Sequence, residues 1–166
     1  HAGALGLTAS ALLPLSTARL HRLWMNKARE RLGQLGEQLH ALSIAAASLP
    51  PRARVRWHRT LQSAALTPAR RCCDARDHRC HSEPSDWWHP LWKSLGFKIL
   101  GPHRFRYGAL VERGSIRTRI VFRAEGDLDC DGRFTLLELP AQVDETTGHL
   151  TLDKLRLLRS ESKPAP

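Results

Sequence analysis

The chain has 166 residues and a formal net charge of +10 at neutral pH. That length fits one domain, or one domain with an appendage, and is enough to bury a core. The charge favours contact with nucleic acid, anionic lipid or acidic polysaccharide without choosing among them.

Residues 2–18 carry no charge and contain Pro14. At ~17 residues the run is short of the ~20 that span a bilayer comfortably. No basic n-region or cleavage site marks a secretory signal peptide. From Ala18 the pattern becomes amphipathic. Ala18, Met25, Ala28, Leu32, Leu35, Leu39, Leu42 and Ala46 form a stripe, while Arg19, Arg22, Lys27, Arg29, Glu30, Arg31 and Glu37 fall off it. This predicts a helix over 1–48, apolar through 18 and amphipathic over 19–48. At ~45 residues it would be ~68 Å long, which suits a stalk, a coiled coil or an anchor running into a domain. Leu49-Pro50-Pro51 ends it.

Residues 49–90 read as a connector and a Cys-rich loop. The first part is basic, with Arg52, Arg54 and Arg56 beside Trp57. It reads either as a nucleic-acid arm with a stacking platform or, preferably, as a solvated connector with one buried tryptophan. From residue 91 to 159 the period changes to two. Strands are expected at Phe97–Leu100, Arg104–Val111, Ile116–Ala124 and Phe134–Leu139, the last ending at Pro140. His149–Leu158 fits a strand or a short helix. The tail 160–166 is disordered by composition. The expected fold class is α+β: a long N-terminal helix packed on an antiparallel sheet of four to five strands. Trp87, Trp88 and Trp92 are expected to pack in core and loops, and His103 and His149 to lie at the surface.

Within the sheet region, Asp127-Leu-Asp129-Cys-Asp131-Gly132-Arg133-Phe-Thr135-Leu-Leu-Glu138 has the ligand spacing of an EF-hand-type calcium loop. Asp127, Asp129, Asp131, Thr135 and Glu138 would supply side chains, and Arg133 its carbonyl. Calcium takes six to eight oxygens, and Gly132 permits the turn that lets alternate residues converge. Three adjacent aspartates repel by roughly 1 kcal/mol per pair at 4 Å in water, a cost a dication removes. The other reading is an Asp-Gly hairpin whose carboxylates cap backbone amides. No helices flank the loop, so calcium affinity should be weak, ~10⁻⁴–10⁻³ M.

Four cysteines, Cys72, Cys73, Cys80 and Cys130, allow three pairings. The adjacent pair Cys72 and Cys73 is a poor disulfide. Two pairings remain, each joining Cys80 to one of the pair and Cys130 to the other. The rival reading is zinc held by Cys72, Cys73, His78, Cys80 and His81. No Gly-rich phosphate loop, GxSxG or HExxH motif occurs, so no enzyme is expected.

The layout resembles the type IV pilin and pseudopilin family. The segment 2–41, with Pro14, is similar to that family's helix. A closer similarity is to a pilin-like subgroup carrying a Cys-Cys pair and a third cysteine, a W-x-x-L-x-F run, an aromatic strand and A-x-G-D-L-D-G-D-G. The counterparts here are Cys72-Cys73 with Cys80, Trp92-Lys-Ser-Leu95-Gly-Phe97, Phe105-Arg-Tyr107 and Ala124-Glu-Gly126-Asp127-Leu-Asp129-Cys130-Asp131-Gly132. Cys130 replaces the subgroup's glycine and points to a disulfide. The family's Phe-Thr-Leu-Ile-Glu-type opening is absent from His1 onward, and counting back from Pro14 places it before His1. Phe134-Thr-Leu-Leu-Glu138-Leu imitates it, but Pro140 and acidic residues follow, so it is no export signal.

The resemblance implies a minor pilin or pseudopilin of a type IV pilus or related secretion filament. Leu12, Leu13, Pro14, Leu15, Met25, Leu32, Leu35 and Leu39 would pack between helices, with Trp24, off the stripe, facing a neighbouring subunit. Implied partners are other pilin subunits, the assembly machinery and the inner membrane, with DNA or acidic polysaccharide against Arg52, Arg54 and Arg56. Implied location is the bacterial envelope: inner membrane or periplasm before assembly, extracellular pilus after. Basic residues after the apolar run would by the positive-inside rule leave the head in the cytoplasm, but the cysteines and the resemblance favour the periplasmic side. Alternatives are a major pilin, a membrane-anchored calcium-binding adhesion module, and a basic DNA-binding pilin used in DNA uptake.

Overall fold

The computed structural model describes residues 17–159. Pro14, Leu12, Leu13 and Leu15, and the tail from 160, lie outside the described residues. Helix α1 runs Thr17–Ala45, 29 residues, or about 44 Å. Its buried face is Trp24, Ala28, Leu32, Leu35, Gly36 and Leu39. Spacings of three and four keep these side chains on one face. A Cβ on Gly36 would lie 2.8 Å from Leu139 Cδ2, so α1 approaches the sheet closely there. Short helix α2, Pro51–Val55, begins on a proline whose missing N–H costs nothing at a helix start.

Trp24 corrects the expectation that it faces a neighbour. It is buried in the core, and Lys27 and Arg79 sit 5.2 and 5.8 Å from its ring. It precedes Ala28 by four residues and so extends the stripe by one turn, while Met25 is only half-buried. Before Trp24 no residue of α1 is buried, and Leu20 and Leu23 are 38 % and 50 % exposed. The first turns of the helix overhang its sheet.

The sheet is antiparallel and has six strands: β1 (Ala64–Thr67), β2 (Arg106–Arg113), β3 (Arg117–Gly126), β4 (Thr135–Asp144), β5 (Leu150–Leu152) and β6 (Arg156–Arg159). The order is β1-β2-β3-β4-β5, with β6 also pairing β4. Register puts Tyr107, Ala124 and Leu137 in one row, then Ala109, Phe122 and Leu139, then Val111, Ile120 and Ala141. Alternate residues point to one face, and these rows form the face under α1. The other face carries cross-strand ion pairs: Arg106–Glu125, Arg119–Glu112 and Arg123–Glu138.

Several expected elements differ. Phe97–Leu100 forms no strand; Phe97 and Ile99 are buried as irregular chain. The tryptophan run instead folds as helix α3, Pro90–Leu95, started by the His89 ring, which accepts from Leu91 N–H at 3.2 Å, and stopped by left-handed Gly96. Strand β1 arises within the expected connector. His149–Leu158 makes two short strands. β4 continues through Pro140, which lies opposite Val121. The Pro140 carbonyl accepts from Asp153 N–H, so its missing N–H faces the gap between β5 and β6 and leaves the β3–β4 ladder intact.

Trp87, Trp92, Phe97 and Tyr107 stack with ring centroids 5.5–5.8 Å apart, whereas Trp88 is 66 % exposed. His103, expected at the surface, is buried: it bridges to Cys80 through two backbone hydrogen bonds, and burial lowers its pKa. His149 is exposed as expected.

The connector is tied to the sheet end. The Trp57 indole N–H donates to Gly148 O at 2.9 Å. Buried His58 Nε2 meets Glu145 Oε1 at 2.8 Å, and the Thr118 hydroxyl donates to the same oxygen. Chiefly through that hydroxyl, and further through His58 and Arg59, the Glu145 carboxyl is held at about 2, against an ordinary 4.5. A depressed carboxylate stabilises the fold above its ordinary value and loses that contribution as pH falls. Thermal unfolding midpoints should therefore fall between pH 4.5 and about 2, and Glu145→Gln should flatten that part of the profile.

Candidate metal centre

The β3–β4 hairpin closes where Gly126 pairs with Thr135, leaving 127–134 as its loop. A Cβ at Gly126 would meet Arg104 O at 2.8 Å and the Phe105 ring at 2.9 Å, so only glycine lets the segment before β2 run this close beneath the loop. Cys130 and Gly132 have φ of 58° and 86°. A left-handed non-glycine residue costs roughly 1–2 kcal/mol, a cost that Gly132 avoids and Cys130 does not.

These turns gather Asp127, Asp129 and Asp131, whose carboxylate oxygens lie within 4.8 Å of one another. Asp127 is buried, and the other two are exposed. The Asp127 carboxylate accepts the Asp131 and Gly132 N–H groups at 3.2 and 2.9 Å, and Asp131 accepts the Arg133 N–H at 2.8 Å. Both sequence readings are therefore present: the aspartates cap amides, and they converge as a group that could hold a metal ion.

Glu138 is not brought to them. It lies in β4, buried, opposite Arg123. Its carboxylate takes Arg123 Nε at 2.9 Å and lies 3.7 Å from an Arg156 nitrogen. Thr135 is already the first residue of β4. The twelve-residue spacing breaks because strand pairing begins at the ninth place and points the chain away from the loop. The aspartate half of the set fits a hard cation, and the glutamate does not complete it.

Arg104, which sequence reasoning missed, is the loop's cationic neighbour. One of its terminal nitrogens donates to Leu128 O. Burial, together with Arg79, lowers its pKa, while Asp127 and Asp129 act in the opposite sense. Its Nε is buried with no hydrogen-bond partner among the described residues. A cavity of about 370 Å³ opens beside it, with Arg71, Arg106, Glu125, Asp127 and Phe134 in its wall. Only the register of β2 against β3 would have revealed Arg104, because it precedes its strand by two residues.

The four cysteines form Cys72–Cys80 and Cys73–Cys130, bridging sequence separations of 8 and 57. This is one of the two pairings left open above. It leaves no thiolate for zinc, so the set with His78 and His81 is overturned. His81 instead pairs with Asp77 at 2.7 Å. The longer bridge ties the Cys-rich loop directly between two aspartates. Arg52, Arg54 and Arg56 are all exposed on and after α2, remote in sequence from this loop.

No protein-family model, no curated protein and no solved structure matches the chain. Among the described residues no helix is long and apolar enough to cross a membrane.

Proposed function

We propose that the chain is a pilin-like filament subunit, a minor pilin or pseudopilin of a bacterial type IV pilus or related secretion filament. The observation that supports this reading most is the overhang of α1. From Trp24 onward the helix is half of a head; before it, exposed Leu20 and Leu23 lead back into the uncharged run 2–18. Leu20 and Leu23 are exposed beside Arg19 and Arg22 at the start of α1, and an uncharged run such as the one that precedes them in sequence needs an apolar environment. The inner membrane supplies it before assembly, and the helices of other subunits supply it in the filament. Two disulfides suit an oxidising location outside the cytoplasm. Leu20→Glu with Leu23→Glu should leave the unfolding of the head unchanged and abolish recovery of the chain in filaments sheared from cells. Undiminished recovery would contradict the reading.

The loop at Asp127 is proposed to bind calcium, as a brace for the exposed hairpin. The converging aspartates support this. With Glu138 held by arginines, affinity belongs to the weak ~10⁻⁴–10⁻³ M class. Calcium at about tenfold over its dissociation constant should raise the unfolding midpoint by about 4 °C. Asp129→Asn with Asp131→Asn should remove that rise. A calcium-insensitive midpoint in the native chain would rule out the site.

A further inference from the structure

At the end of α1 remote from the apolar run, α1, α2 and the following turn enclose an apolar groove of about 480 Å³. Its wall includes Leu42, Ala45, Leu49, Ala53, Trp57 and Leu61. Arg56 lines it, Arg52 and Arg54 flank the lining residue Ala53 along α2, and all three are exposed. The chain has no aspartate or glutamate between Glu37 and Asp74, while Arg52, Arg54, Arg56, Arg59, Arg70 and Arg71 fall in that interval. Two acids lie at this end, Asp144 closing β4 and Glu145 following it. Glu145 is taken by His58, Thr118 and Arg59, and Asp144 caps the Thr146 and Thr147 amides. Arg52 and Arg56 form no salt bridge among the described residues.

We infer that this groove docks an acidic, amphipathic peptide segment of a partner protein. An apolar cleft with a one-sign polar rim matches a helix that buries its apolar stripe and keeps carboxylates at the edge. The charged residue in its lining is Arg56, and a guanidinium fork grips a carboxylate in paired hydrogen bonds that lysine cannot reproduce. Nucleic acid is disfavoured at this place. Trp57 is half-buried, its N–H is committed to Gly148 O, and its ring lies edge-on to His58, whereas strand binding uses open aromatic faces. A lipid surface is disfavoured because it would present a plane to a concavity.

The test uses a synthetic helix-forming peptide with leucine at i, i+3, i+4 and i+7 spacing and glutamate elsewhere, titrated into the full chain by fluorescence anisotropy. Its counterpart has lysine for every glutamate. The acidic peptide is expected to bind and the basic one not. Arg52→Glu with Arg56→Glu should weaken binding about tenfold. Ala45→Trp, an exposed position that fills the groove, should weaken it independently while the near-ultraviolet circular dichroism shows an intact head. Equal binding of both peptides would overturn the proposal. So would binding of oligothymidylate or phosphatidylglycerol vesicles as tight as that of the acidic peptide. Self-association of the chain that Ala45→Trp abolishes would assign the groove to a second copy and overturn it as well.

Discussion

Serine at both Cys73 and Cys130 should lower the unfolding free energy by about 4 kcal/mol in the chain-entropy description of a cross-link. The bridge spans a separation of 57 residues, and its partner, Cys72–Cys80, spans 8. Removing the shorter one should cost only about 2.5 kcal/mol. Urea unfolding of the two double variants under non-reducing conditions measures the difference, and the reverse order would show that the long bridge braces nothing. The larger effect has a local consequence too. Cys130 holds a left-handed conformation between Asp129 and Asp131. Once released from Cys73, the loop can relax, and the three carboxylates lose the geometry that brings them together. The calcium response proposed for the native chain should therefore weaken in the Cys73/Cys130 variant and persist in the Cys72/Cys80 variant.

Trp92→Ala should destabilise the head by about 3–5 kcal/mol. Trp92 is wholly buried, its indole N–H donates to the Thr67 hydroxyl at 3.2 Å, and its ring meets Trp87 and Phe97. It links α3 to β1 and, through Phe97, to Tyr107 of β2. Truncation leaves a cavity the size of an indole between elements that cannot close over it. Trp88→Ala, four residues before it, should change stability by no more than about 0.5 kcal/mol, because the Trp88 side chain lies mostly in solvent. Chemical denaturation of the pair separates these roles directly.

These two positions show what periodicity can and cannot reveal. The helix stripe and the β3 alternation were legible because each spans many residues with one period. Ile120, Phe122 and Ala124 alternate with Arg119, Arg123 and Glu125, and the structure keeps that alternation except at Val121, which is buried on the opposite face. Trp24 falls off the sequence stripe because its neighbour Met25 sits close to it in angle; positions 24, 28, 32, 35 and 39 together mark the buried face. Helix α3 was hidden because six residues carry too little pattern to compete with the prolines and tryptophans around them. Strand β1 was hidden because its four residues draw their stability from pairing with β2, which no local pattern encodes.

The loop divides in the same way. Asp127, Asp129 and Asp131 converge as their spacing implies, since the turn is local. Glu138 does not, since β3–β4 register decides where it points, and that register places Arg123 opposite it. Arg156 and Arg104 likewise come from other strands and linkers. Charge partners supplied across a sheet are invisible to a motif read along one strand. The arginines that take Glu138 and flank Asp127 reduce the charge available for a cation, which lowers the affinity expected of the proposed calcium site.

The filament reading is tested most directly by a photo-crosslinking side chain at Leu23, on the overhanging part of α1, in cells assembling filaments. A second, exposed control at Ile116, on the β2–β3 turn, reports contacts of the head alone. The expected result is a ladder of crosslinked species from position 23 that co-sediments with sheared filaments and contains further copies of this chain or other long apolar helices. A chain that stays monomeric at position 23, with no crosslinked species in the filament fraction, would contradict the assignment as a filament subunit.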